Sequence, residues 1–292
     1  MIMDKQNRVG NILKASMTRD ARINVKKKEP IKTGIMALDQ VLGGIMNGQL
    51  IAIGGRPSIG KTALALNIAI NTARAQKTNV LYFSLETPRD LLVRRIWGID
   101  SNIDYCLLRK KLPGNKDRKL ISKALKALAP LPLYIYDKPR LSTADILYYM
   151  DKAAMEGDLG LVVIDYLSLL TDMTNASKIK DNMTSLKYYA EKLGVPIIIT
   201  AQLNRGVDLR KFPQDFRLSD FRGSKAIGNT ADTAIFIYRK NYYTGQLDSK
   251  YEEMQLTIAN NPGRKMKTVP LLFERNTTRI SKFDHSILSS AP

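Results

Sequence analysis

The chain is expected to fold as an α/β protein, with a mostly parallel, twisted central sheet flanked by helices and a C-terminal β-hairpin. Three features predict this. From residue 31 onward, short apolar runs are each followed by a stretch with helical spacing, the alternation that parallel strands and crossover helices produce. A glycine-rich turn at residues 55–62 joins one apolar run directly to a helix. Near the C-terminus two apolar runs flank a polar turn, which reads as a hairpin.

Residues 1–28 form a basic arm, with eight Lys or Arg against Asp4, Asp20 and, just beyond, Glu29. Val9, Ile12, Leu13 and Met17 recur at helical spacing, which fits either a short amphipathic linker helix that needs a surface to lie on or a frayed, solvated arm. Residues 29–292 form the second expected domain. Within it, buried strands are expected at 50–54, 80–84, 133–136, 161–164, 195–200 and 233–238, and helices at 61–76, 89–97, 117–128, 143–156 and 185–193. The hairpin strands are expected at 255–259 and 269–274 around the turn 260–268.

Composition bounds the function. Lys plus Arg number 46 and Asp plus Glu 27, a formal charge of +19, and that excess calls for a polyanionic partner. The single cysteine, Cys106, and single histidine, His285, exclude an intrachain disulfide and a Cys/His zinc site built from this chain alone, which suits a reducing cytoplasm. The N-terminus lacks the apolar run and cleavage site of a signal peptide, and no run of about 18 apolar residues exists, so a soluble protein with no membrane contact is expected.

Gly55-Arg56-Pro57-Ser58-Ile59-Gly60-Lys61-Thr62 fits G-x-x-x-x-G-K-[ST] and sits between an expected strand and an expected helix, the context this phosphate-binding loop requires. Its two glycines let the backbone curl so that successive N–H groups point at phosphate oxygens, helped by the positive end of the following helix. Lys61 would reach the β and γ phosphates of ATP, and Thr62 would give its hydroxyl to Mg²⁺. Asp165 follows the apolar run 161–164, so it stands at the C-terminal end of a strand, where open α/β sheets bind ligands; beside the loop it reads as the acid that holds Mg²⁺ through water. Glu86 follows the strand after the loop's helix and is the candidate general base, the alternative being a helix N-terminal charge beside Thr87-Pro88. Gln202 follows another strand, as a γ-phosphate sensor or as a buried amide that bonds only backbone.

In combination these residues resemble the RecA-type P-loop motor domain of DnaB-like replicative helicases. Arg56 to Thr62 resembles the family's A-R-P-S-M-G-K-T loop, Phe83-Ser84-Leu85-Glu86-Thr87-Pro88 its F-S-L-E-M-P, Ile164-Asp165-Tyr166-Leu167 its I-D-Y-L-Q and Gln202-Leu203-Asn204-Arg205 its S-Q-L-N-R. Upstream, Thr33-Gly34, Leu38-Asp39 and Gly43-Gly44 match the start of the domain; downstream, Asp220-Phe221-Arg222-Gly223-Ser224, Ala231-Asp232 and Phe236-Ile237-Tyr238-Arg239 match D-L-R-x-S, A-D and F-I-Y-R. The resemblance spans roughly 31–280.

It implies an ATP-dependent DNA helicase that assembles as a ring, typically a hexamer, with nucleotide at subunit interfaces and single-stranded DNA through the centre, acting at forked DNA. Glu86 takes the catalytic-carboxylate position, Asp165 the Walker B position and Gln202 the sensor position. Partners would be primase, polymerase or a loader, although the N-terminal helical domain that meets primase in the family is expected to be absent. Loops 171–182, with Lys178 and Lys180, and 204–225, with Arg205, Arg210, Lys211, Arg222, Gly223 and Lys225, would line the channel and track phosphates without reading bases. The family often has Glu where Gly223 stands and Gly where Lys225 stands. The basic stretch 109–126 is a solvated outer face or a second nucleic-acid surface.

The main departure lies in the hairpin. The family's K-x-R, a Lys and an Arg finger offered to the neighbour's γ-phosphate, aligns with Asn260 and Pro262, leaving Arg264, Lys265 or Lys267 as candidate trans cations. An alternative reading follows: a non-translocating RecA-like DNA-binding ATPase, a helicase loader or recombination mediator, in which ATP is an assembly switch.

Overall fold

The computed structural model describes residues 29–104, 115–210, 215–222, 225–246, 249–260 and 266–289. The basic arm 1–28, Arg109 to Lys111, Lys211, Gly223, Pro262, Arg264 and Lys265 lie outside them. The chain divides after Pro30 into two units, and the sheet belongs to the second, Ile31–Pro292.

In chain order the elements are α1 (Met36–Leu42), β1 (Leu50–Gly55), α2 (Lys61–Gln76), β2 (Asn79–Ser84), α3 (Arg89–Ser101), α4 (Asn115–Leu128), β3 (Leu133–Tyr136), α5 (Thr143–Glu156), β4 (Leu159–Asp165), α6 (Ala176–Leu193), β5 (Ile197–Gln202), α7 (Lys225–Thr230), β6 (Thr233–Tyr238), α8 (Lys240–Thr244), β7 (Tyr251–Asn260), β8 (Lys267–Glu274), β9 (Arg279–Lys282) and α9 (His285–Ser289). The nine-stranded sheet runs β3-β2-β4-β5-β1-β6-β7-β8-β9. Pairing is parallel from β3 to β6 and antiparallel from β6 onward, so the parallel sheet with a C-terminal hairpin is as expected. The hairpin gains a third strand, β9, which is too short and polar to read from the sequence.

Each central strand is apolar on both faces because each face is covered. Every residue of β1 and β4 is buried. One core packs α2 and the apolar residues of β7 and β8 on one face; the other packs α5 and α6 on the opposite face. No helix among the described residues is long and apolar enough to cross a membrane.

Helices α2 and α5 span the predicted residues, α5 beginning with a capping box between Ser142 and Asp145. Helix α6 differs: it starts at Ala176 rather than 185, capped by Asn175, whose side chain accepts from Lys178 N, with Ile179, Met183, Leu186 and Ala190 buried at helical spacing. Lys178 and Lys180 therefore sit on a helix and not in a loop. Lys225 likewise opens α7 rather than closing a loop.

Register sets the site. Gly55 on β1 pairs with Gln202 on β5 and Ser84 on β2 pairs with Asp165 on β4, and because Ile164 pairs with Ile199 the first pair ends two residues beyond the second, so the four ends meet in the crevice at the C-terminal edge of the sheet.

Candidate nucleotide-binding site

The loop between β1 and α2 is shaped by steric demands. Gly60 has φ +115, and a Cβ at Gly55 would stand 2.5 Å from Ile59 Cγ2. Ile59 is fully buried and pins the loop to the core. Lys61 opens α2, and its Nζ donates to the carbonyls of Gly55 at 3.1 Å and Arg56 at 2.9 Å, so the ammonium is folded over the loop. Burial pushes it down to about 8, with the carboxylates of Asp165 and Glu86 pulling the other way. A cation in so poorly solvated a place is primed for an anionic ligand.

Asp165, 1% exposed, ends β4. Its Oδ2 accepts from the Tyr82 hydroxyl at 2.9 Å and its Oδ1 from Thr200 Oγ1 at 2.6 Å, which fixes the carboxylate behind the loop. The same burial and carboxylate hold the Tyr82 phenol well above its usual range. Among the described residues no three His, Cys, Asp or Glu side chains cluster to hold a metal. The donor set near the loop, a Thr62 hydroxyl and the Asp165 carboxylate, fits a hard oxygen-seeking cation that keeps waters and phosphate oxygens as its other ligands.

A cavity of about 320 Å³ opens over the loop, lined among others by Lys61, Thr62, Glu86, Gln202, Arg95 and Phe273. Glu86 lies two residues past β2 and is exposed. Gln202 lines this cavity and also a second of about 380 Å³, which it shares with Tyr166, Asn175 and Arg222. Its amide is therefore not confined to backbone: Oε1 accepts from Arg222 Nη1 at 3.2 Å.

Two residues take other positions than the sequence suggests. Arg56 belongs to the loop, but its side chain turns toward the segment after β5: Nη1 donates to the Leu203 carbonyl at 3.0 Å and Nε lies 2.9 Å from Asp208 Oδ2. Arg210 lies in the basic loop, but its guanidinium grips Asp220 with both Nη atoms, at 2.8 and 2.5 Å, and donates to the Asp215 carbonyl. Leu203 bridges Phe221, which closes the stem of this loop; in the core Phe216 stacks on Phe236 and Phe221 packs against the same ring at a tilt. Arg205, Arg222 and Lys225 remain exposed around it.

Sequence reasoning missed two cations. Arg95 on α3 reaches the cavity; its signal was a cation three residues after buried Leu92 and just before buried Ile96, close to the helix's apolar side. Arg239, quoted only as part of a motif, is buried beneath the loop.

The family model described as DnaB-like helicase C terminal domain matches residues 30–282, a span that includes the strand-loop-helix, Glu86, Asp165 and the tethered Gln202. The chain belongs to this family. It is 34% identical over 275 residues to a probable replicative DNA helicase of Trieres chinensis, covering 90% of this chain and 60% of that protein. It is 35% identical over 250 residues to the replicative DNA helicase DnaB of Geobacillus stearothermophilus, covering 83% and 54%. The chain thus spans little more than half the length of these relatives. Among solved structures, an ATPase domain superposes with TM-score 0.80 at 26% identity, covering 94% of this chain and 99% of that one. A DnaB-like replicative helicase studied with primase gives TM-score 0.80 at 25% identity, covering 93% and 66%. The RecA-like fold and the family expected from the motifs are both borne out.

Proposed function

We propose that residues 29–292 are the motor of a replicative ring helicase: the chain binds ATP with Mg²⁺ at subunit interfaces, hydrolyses it, and translocates on single-stranded DNA to open forked duplex. The observation that carries this is the meeting of Lys61, Thr62, Glu86 and Gln202 in one cavity, with Gln202 tied to an arginine of the basic loop.

In this reading the loop amides and Lys61 hold the triphosphate, and the ammonium gains back in phosphate contact what burial removes. Thr62 and Asp165 hold Mg²⁺, which supplies charge neutralisation of the phosphates. Glu86 takes the proton of the attacking water, Gln202 senses the γ-phosphate, and Arg95 faces the same cavity as a further cation in cis. Arg205, Arg222, Lys225 and, outside the described residues, Lys211 and Gly223 track the DNA backbone, whereas Arg210 acts as a brace within the loop. The trans cation comes from Arg264, Lys265 or Lys267 of the neighbouring copy in a hexameric ring. Residues 1–28 act as an arm or linker, and the ring works in the cytoplasm with primase, polymerase or a loader. The loader or mediator reading is not favoured, because the relatives are replicative helicases.

The test is steady-state ATPase with and without single-stranded DNA, strand displacement on a fork, and mass of the assembly with ATP and DNA. DNA-stimulated hydrolysis, unwinding and a ring are expected, with Lys61→Ala abolishing the first two. No stimulation and no unwinding by the wild-type chain would sink the proposal.

A further inference from the structure

Arg239, the residue after β6, is 4% exposed and does not line the nucleotide cavity. Its Nη1 donates to the Ile59 carbonyl at 3.1 Å and approaches that of Ser58 at 3.5 Å; its Nη2 is paired with Glu252 Oε1; its Cζ stacks 4.4 Å from the centre of the Phe273 ring. Glu252 is 1% exposed, and Arg275 Nε lies 3.7 Å from the same carboxylate oxygen.

A loop that aims its N–H groups inward at phosphate turns carbonyls outward, and here that of Ile59 faces the core, where water cannot serve it, with that of Ser58 half-buried beside it. Ser58 also holds φ +59, a conformation that a non-glycine residue keeps only when its surroundings enforce it. A guanidinium meets both needs, since its rigid fork can bond the loop with one arm and an anchoring acid with the other. The anchor is Glu252 at the start of β7, with Phe273 of β8 beneath. The ion pair is a poor device for stability alone: Arg239 Nε and Glu252 Oε2 have no hydrogen-bond partner among the described residues, and buried pairs are often no better than well-packed apolar side chains.

We propose that Arg239, held by Glu252, is a positioning residue that fixes the shape of the phosphate loop from below and so sets nucleotide affinity, a role that rests on reading residues 55–62 as the phosphate site. It ties the loop to β7 and β8, the two strands whose hairpin is offered to the neighbouring copy in the proposed ring.

The test compares wild type, Arg239→Lys and the double variant Arg239→Met/Glu252→Met, which removes both charges at similar volume. Three readouts are taken: melting temperature, hydrogen exchange of the peptide 55–62 without nucleotide, and KM for ATP against kcat with single-stranded DNA present. The double variant is expected to melt within about 5 °C of wild type, to exchange the loop amides about tenfold faster, and to raise KM about tenfold with kcat changed less than about threefold. Arg239→Lys is expected between the two. Loop exchange and KM within about twofold of wild type in a folded variant would overturn the proposal. If the double variant does not fold, Arg239→Lys decides alone: the charge remains and the fork is lost, so unchanged exchange and KM overturn the role and faster exchange with raised KM supports it. If wild-type protein binds no ATP, the reading of the phosphate site has failed, and the exchange comparison still decides the bracing role.

Discussion

Arg222 donates through Nη1 to Oε1 of Gln202 at 3.2 Å, and its backbone N–H bonds the carbonyl of the same residue at 2.8 Å. One residue thus stands in the wall of the nucleotide cavity while its partner is exposed on the basic loop, and the second cavity lies between them. A Gln202 amide drawn to a γ-phosphate and an Arg222 guanidinium drawn to a DNA phosphate compete with their bond to each other. The ratio of DNA-stimulated to basal ATPase is expected to fall about tenfold in Arg222→Ala and in Gln202→Ala, and no further in the double variant, because both changes break one link. Additive losses in a steady-state double-mutant cycle would show that the contact carries no coupling.

Nucleotide affinity should depend on pH through Lys61. Burial lowers this ammonium from 10.5 to about 8 in the ligand-free site, and a bound polyphosphate restores its charge and raises it again. Below about 8 the lysine is protonated before and after binding, so affinity is flat. Above 8 each binding event must take up a proton, and affinity is expected to fall by up to about tenfold per pH unit until the bound-state value is reached. Titration of a fluorescent ATP analogue from pH 7 to 9.5 measures the affinity profile, and calorimetry in buffers of different ionisation enthalpy measures the proton uptake. Lys61→Arg, always charged, should flatten the profile although it binds more weakly.

How much of this was visible in the sequence follows from how local each signal is. The loop 55–62 is legible because strand, glycines, lysine and helix are contiguous, and α2 and α5 end up on their predicted residues because the helix signals lie at their ends. Asp165, Glu86 and Gln202 are legible because each stands at or just after the end of an apolar run, and the parallel sheet brings those ends to one edge. The start of α6 was hidden by its own charges: Lys178, Lys180 and Asp181 read as a loop, and the cap at Asn175 was the overlooked signal. Arg210 looked like one more loop cation, since its partner Asp220 stands ten residues away across a turn. Arg239 and Glu252 meet only when β6 and β7 pair, and no local pattern announces a guanidinium turned under a loop 180 residues upstream.

The Arg210–Asp220 clamp should govern the loop and not the nucleotide site. Asp220 is buried, accepts from both Nη atoms of Arg210, and also accepts from the Arg217 N–H at 2.8 Å. Asp220→Ala leaves Arg210 and that amide without their acceptor, and is expected to destabilise the domain by about 2–4 kcal/mol in urea unfolding. Single-stranded DNA affinity should fall with it, as Arg205 and Arg222 lose a fixed spacing, while ATP affinity without DNA stays within about threefold. Asp220→Asn, which keeps acceptor geometry on one oxygen, should lose about half as much stability. A drop in ATP affinity equal to the drop in DNA affinity would instead make the clamp a global support.

Lys267, exposed at the start of β8, marks the edge of the hairpin turn whose other candidate cations, Arg264 and Lys265, lie outside the described residues. The resemblance implies that Asn260 at the end of β7 and Pro262 take the places of the family's Lys and Arg, and on that reading a trans cation comes from these later positions or from none. Subunit mixing separates the two. A chain with Arg264, Lys265 and Lys267 all changed to Ala keeps an intact phosphate loop, and a Lys61→Ala chain keeps an intact hairpin; each alone is expected to lose DNA-stimulated ATPase by more than about a hundredfold. In mixed rings the first supplies the loop and the second the cation at the same interface, so activity should return to a maximum near equal proportions. If the triple variant alone retains wild-type activity, the hairpin lends no cation; if it is inactive and mixing restores nothing, the three side chains serve their own subunit.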